Sequence, residues 1–152
     1  MRFIFIFISF FLLVSITLTE LYLKYIGLGD PVRYDSNYIY GYAPKENQKK
    51  ERLKGSKVTI NELGLRTPFT WNNSKKDKII FIGDSITYGG SYIDDEKIFS
   101  FLVCLKMKNY LCGNAGVNAY SIINMVMRSR HDQRINNEKV YIFTIAPGDF
   151  YR

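Results

Sequence analysis

The chain has 152 residues with a formal net charge of +7, and 47% of its residues are hydrophobic and 16% aromatic. That length holds one modest domain and excludes two full ones, while the apolar content excludes an intrinsically disordered chain. The positive charge raises nucleic acid as a partner, but the lysines sit in two polar runs, Lys49–Lys57 and Lys75–Lys78, with no recognised nucleic-acid motif beside them, so they read as solvated faces.

Residues 1–26 form the first segment. From Phe3 to Thr19 no residue is charged, and Leu21, Tyr22 and Leu23 extend the apolar run, which is enough to cross a thin bilayer. Ser15–Tyr22 offers no small-x-small cleavage site. The segment therefore reads as a single-pass membrane anchor or an uncleaved signal. Arg2 on one flank balances Lys24 and Arg33 on the other, so charge does not set the orientation. The pair Cys104 and Cys112 bears on the compartment: a disulfide would put the body outside the cytoplasm, and two buried free thiols are the alternative.

Residues 27–77 are rich in Tyr, Lys, Asn, Gly and Pro and show no sustained period, which predicts a neck or arm lying across the main domain with one short strand at Val58–Ile60. Trp71 and the polar run Asn72–Asp77 read as the approach to the core and an exposed loop. Asn72-Asn73-Ser74 matches a glycosylation acceptor by pattern alone.

From Lys78 the order alternates. Strand Lys78–Ile82 precedes a loop through Gly89 and Gly90; a helix near Glu96–Lys108 leads to a short strand at Tyr110–Cys112. A helix over Ala119–Arg130 places Ile122, Ile123, Val126 and Met127 on one face, and Val140–Ile145 is a third apolar strand. The alternation predicts an α/β domain over 78–152: a parallel sheet covered on both faces, reached by right-handed crossovers. Asp94-Asp95-Glu96 reads as a set of helix caps and not a metal site, because no histidine or cysteine joins it. No phosphate-cradling glycine loop occurs. No cofactor and no metal are expected.

The chemistry sits where the first of these strands ends. Gly83 permits a tight turn, Asp84 accepts backbone hydrogen bonds within it, and Ser85 falls at the carboxyl end of a parallel strand, where ligand-facing groups gather. Ser85 is the candidate nucleophile and Asp84 its turn support. An ordinary Asp-Ser turn is the alternative reading of the same three residues.

Gly83-Asp84-Ser85-Ile86-Thr87 resembles the first block of the SGNH or GDSL-type hydrolases. Asn114-Ala115-Gly116-Val117-Asn118-Ala119-Tyr120-Ser121 is similar to their second block, and Asn61-Glu62-Leu63-Gly64-Leu65-Arg66 to sequence that precedes the domain in membrane-tethered members. The resemblance implies a flavodoxin-like three-layer fold and an ester-bond hydrolase or acetyltransferase. Its substrate would be an acylated carbohydrate of the cell envelope or a small ester, with Ser85 as nucleophile and the Gly116 N–H in the oxyanion hole.

Two departures follow from the same comparison. Ala146-Pro147-Gly148-Asp149 stands where the third block carries an asparagine donor, and the terminal Asp-x-x-His block does not occur. The sole histidine, His131, precedes the third strand and reads as a helix-end residue. These departures imply an amino-terminal part of a longer protein with little turnover by itself. The alternative is a noncatalytic, membrane-anchored envelope binding protein of the same fold.

Overall fold

The structure, a computed structural model, describes residues 2–72, 74–138 and 140–151. Asn73, the middle residue of the glycosylation pattern, lies outside the described residues.

Helix α1, Arg2–Tyr25, has no buried residue. At 1.5 Å per residue it is about 36 Å long, and it is long and apolar enough to cross a membrane. The hydroxyls of Thr17 and Thr19 donate to the carbonyls of Leu13 and Ser15, so the helix satisfies both threonines itself. Gly27, at φ 80°, ends it.

Residues 27–77 hold more structure than their composition suggests. Strands β1, Tyr34–Asn37, and β2, Gly41–Pro44, form one antiparallel hairpin; β3, Gln48–Arg52, and β4, Ser56–Ile60, form a second. Nor does the segment stand apart from the core. Leu65 and Trp71 are fully buried in the same apolar cluster as Ile80, Ile82 and Met125. Glu62 accepts the Trp71 amide, and the Trp71 indole donates to Glu138, so an aromatic residue just before the exposed loop is held inside.

The remainder is mixed α/β. Strand β5, Asp77–Gly83, is central in a three-stranded parallel sheet of order β6-β5-β7, with β6 at Tyr110–Asn114 and β7 at Val140–Thr144. β5 alternates as a strand buried on both faces should. Ile80 and Ile82 enter the cluster with Met125 of α4, Ile122–His131, while Ile79 and Phe81 pack with Phe99 and Cys104 of α3, Phe99–Lys106. Cys104 and Cys112 form a disulfide between α3 and β6, with their Cα atoms 5.7 Å apart.

Three expectations are corrected. The predicted helix near Glu96–Lys108 is a 3-10 turn at Asp95–Lys97 followed by α3, because Ile98 takes an extended conformation between them. Asp94 stands at the N-cap position of that 3-10 turn without a side-chain capping bond, and Asp95 follows it. They accept the amides of Lys57 and Thr59 and thereby fasten β4 to the loop. The buried face of α4 is centred on Met125 and Arg128, and Ile123 is 67% exposed.

Arg128 explains that rotation. Its guanidinium donates to the carbonyls of Ala115 and Gly64 and to Asp132, which Arg134 grips with two hydrogen bonds of 2.8 Å. A buried charge needs such partners, and the helix turns to supply them. Strand β7 is the open edge: Val140, Ile142 and Phe143 are each about two-fifths exposed, and among the described residues nothing pairs with its outer side.

Burial pushes the Asp132 carboxyl up, but the Arg134 hydrogen bond and the charges of Arg128 and Arg134 outweigh it and hold the group below the ordinary carboxylate range. Stability from this depressed pKa is complete above the unfolded value of about 3.9 and is lost as pH falls through the folded value. Thermal melts in detergent should therefore weaken as pH drops from about 5 toward 2. Asp132→Asn should lose about 3 kcal/mol at neutral pH and show a flatter profile; a wild-type stability with the same acid slope in the variant contradicts the account.

Candidate functional site

β5 ends at Gly83, and the chain turns at once into α2, the single helical turn Ser85–Tyr88. Gly83 is required there, because a Cβ would lie 1.9 Å from Thr87 Oγ1 and 2.8 Å from the Thr144 carbonyl. Asp84 is buried and caps the turn by accepting the Ile86 amide at 2.9 Å. Ser85 is the first residue of α2 and is exposed. The side chain therefore stands at the carboxyl edge of the middle strand, open to solvent, on a backbone fixed from below.

Gly116 lies against the same turn. A Cβ on it would stand 2.3 Å from the Tyr88 nitrogen and 2.8 Å from the Thr87 carbonyl carbon, so the loop after β6 and the backbone of α2 are in contact. Its N–H, however, donates to Asn114 Oδ1 at 2.8 Å. The structure thus brings Gly116 beside α2 as a packing glycine whose amide is already used. Asn114 is the joint of this region: it is buried, and its Nδ2 donates to the Thr87 carbonyl and to Ser100 Oγ.

Asp149 is buried in the 3-10 turn Pro147–Tyr151 that follows β7, at the same edge of the sheet, and its carboxylate accepts the Ala146 amide at 2.8 Å. His131 is elsewhere. It is exposed at the last residue of α4, which runs back toward the amino-terminal edge where β7 begins. Its neighbour Asp132 belongs to the arginine network. Among the described residues, no group of three His, Cys, Asp or Glu side chains is arranged to hold a metal ion.

Sequence reasoning missed the residues that frame this edge. Arg66 is 1% exposed, and its guanidinium donates to Asp95 and to the carbonyls of Tyr88, Gly90 and Ile93, so it holds the whole loop that leaves α2. The segment before it is built for that placement. Asn61 Oδ1 accepts the amides of Leu63 and Leu65, Gly64 takes φ 70°, and Arg66 bridges Ile60 to Asn114. The first hairpin also reaches the site: Tyr42 donates to the Asn118 carbonyl, and Tyr120 donates back to the Tyr42 carbonyl. Ala119 between them is forced to φ 60°, a left-handed conformation unfavourable for a residue with a Cβ.

A groove of about 540 Å³, lined in part by Phe69, Phe101, Cys104 and Tyr110, opens at the amino-terminal edge of the sheet, away from Ser85. Burial of the Asp95 carboxyl pushes its pKa up, against the opposing pull of Arg66. Compared with known proteins, the chain matches no family model, and a search of the curated proteins finds no match.

Two substitutions separate packing from strain. Gly116→Ala should lower stability by about 2 kcal/mol or more, because the methyl meets backbone that has no room to move. Ala119→Gly should raise it by about 0.5–1 kcal/mol by relieving the left-handed residue. Thermal or denaturant midpoints check both; a neutral Gly116→Ala would mean that α2 is free to shift.

Proposed function

We propose that the chain is a membrane-anchored member of the SGNH type, acting on ester bonds of an acylated carbohydrate or a small ester with Ser85 as the nucleophile. The observation that carries this reading is the position of Ser85: exposed at the second residue after the central parallel strand, the first of α2, over a turn capped by the buried Asp84 and packed on the buried Thr87. Ser85 Oγ would attack the acyl carbonyl carbon and the alkoxide would leave with a proton. Water or a sugar hydroxyl would then take the acyl group from the serine. Support for the family comes from the three motif blocks, and the hydrogen bonds accepted by Asn61 Oδ1 and Asp84 and made by Arg66 and Asn114 give each block a physical reason to keep its residue types.

The anchor reading rests on α1, and the extracytoplasmic reading on the Cys104–Cys112 disulfide, which belongs to an oxidising space. Two observations favour the noncatalytic alternative. The Gly116 amide is occupied by Asn114 and so does not face an oxyanion, and the sole histidine is at the far edge of the sheet. A general base supplied from outside these residues would answer the second observation and leave the first standing.

Hydrolysis of a small acyl ester by the natural gene product that contains this chain tests the proposal. Ser85→Ala should lower the rate by about a thousandfold or more, and a fluorophosphonate probe should label the wild type at Ser85 alone. Equal rates in wild type and variant, with no labelling of a folded sample, would favour the binding protein.

A further inference from the structure

The β3–β4 hairpin carries Lys49, Lys50, Arg52, Lys54 and Lys57 against a single acid, Glu51. It is fixed at the exit of α1. A Cβ on Gly27 would lie 2.5 Å from the Arg52 carbonyl carbon and 2.8 Å from the Leu53 nitrogen, so the two backbones touch. Lys50 Nζ, 2.6 Å from Asp30 Oδ1, ties the hairpin to the segment that follows the helix. Strand alternation sends Lys49 and Lys57 outward, and Lys54 sits at the tip in a left-handed conformation; all three are exposed.

Arg52 takes the other face. It is 7% exposed, and its Nε and Nη1 have no hydrogen-bond partner among the described residues. The two other buried arginines among the described residues, Arg66 and Arg128, are each met by a carboxylate and by carbonyls. The neighbouring acid, Asp30, accepts from Lys50 and reaches Arg52 through its charge alone, without a hydrogen bond. A desolvated guanidinium left in this state is costly unless an anion completes it, and its planar fork matches phosphate.

We propose that this hairpin docks the phosphate of an anionic lipid headgroup in the leaflet from which α1 emerges, with Arg52 as the phosphate-binding fork and Lys49, Lys54 and Lys57 as the attracting charges. The inference rests on α1 being retained as an anchor, which sets the hairpin at headgroup height. Docking would also fix the height of Ser85 above the bilayer. The links are short: Ser56 Oγ donates to the Ser91 carbonyl, and the amides of Lys57 and Thr59 donate to Asp94 and Asp95, in the loop that leaves α2.

The test is amide hydrogen exchange of residues 49–57 in the full chain, offered to nanodiscs of neutral phospholipid and of a neutral and anionic mixture. In the anionic discs these amides should exchange about fivefold or more slowly, high salt should remove the difference, and Lys49→Gln with Lys54→Gln and Lys57→Gln should abolish it. Arg52→Gln should reduce it in a chain whose β5 amides remain protected. Neutral discs with added inorganic phosphate should give no protection; protection there would overturn the lipid as the source. Incorporation reads out the anchor separately. A chain that stays in the aqueous fraction overturns both readings, whereas an incorporated chain whose hairpin exchanges equally in both lipids overturns this inference alone.

Discussion

One buried guanidinium organises the molecule around its candidate site. Arg66 lies between the second hairpin and the parallel sheet, its amide donating to the Asn114 carbonyl and its side chain to Asp95 and three carbonyls of the loop after α2. Its guanidinium carbon also lies 4.9 Å from the centre of the Tyr88 ring. A loop of this composition, Gly89-Gly90-Ser91 among its residues, would otherwise have several unpaired carbonyls to leave in water or bury at a cost. One rigid fork of donors satisfies them together, and the carboxylate of Asp95 both neutralises the fork and accepts the Thr59 amide. The short turn that presents Ser85 is thus held at both ends: by the capping carboxylate of Asp84 at its start and by Arg66 at its exit.

The same solution recurs across the sheet. Arg128 and Arg134 share Asp132, and through the carbonyls of Ala115, Gly64 and Pro44 they bind α4, the loop after β6 and the first hairpin into one body. The molecule therefore closes the edge of its small parallel sheet with ionic joints between irregular segments, and keeps its apolar clusters for the two faces of β5. Breaking such a joint by removing one partner leaves the other charge buried. This is why 27–77 behaves as part of the globule although it lacks the periodicity of a packed domain.

The alternating strands and helices from Lys78 onward were legible in the sequence, because β5, β6 and β7 are apolar runs of strand length bounded by polar turns. The position of Ser85 at a strand end was legible for the same reason. The start of α4 was not: Ala119 is held left-handed by the tyrosines of a distant hairpin, so the helix begins at the Ser121 cap. Its buried face was misread because Arg128, a residue that pattern reasoning assigns to solvent, points inward. Of the two hairpins only β4 was foreseen, as the short strand Val58–Ile60; β1, β2 and β3 are short and polar, and no apolar run marks them. The state of the Gly116 amide depends on one side chain two residues away, and no periodicity encodes that. The stretch Asn61–Arg66 carried more than its resemblance suggested, as a turn whose last residue is the joint itself.

Native-state hydrogen exchange in Arg66→Lys measures that joint directly, because a lysine keeps the charge and loses the fork. The account predicts that the amides of Tyr88–Asp95 and of Thr59 lose protection while those of Ile79–Ile82 in the central strand keep theirs. Protection that is unchanged in the loop, or lost evenly through loop and strand, would contradict it.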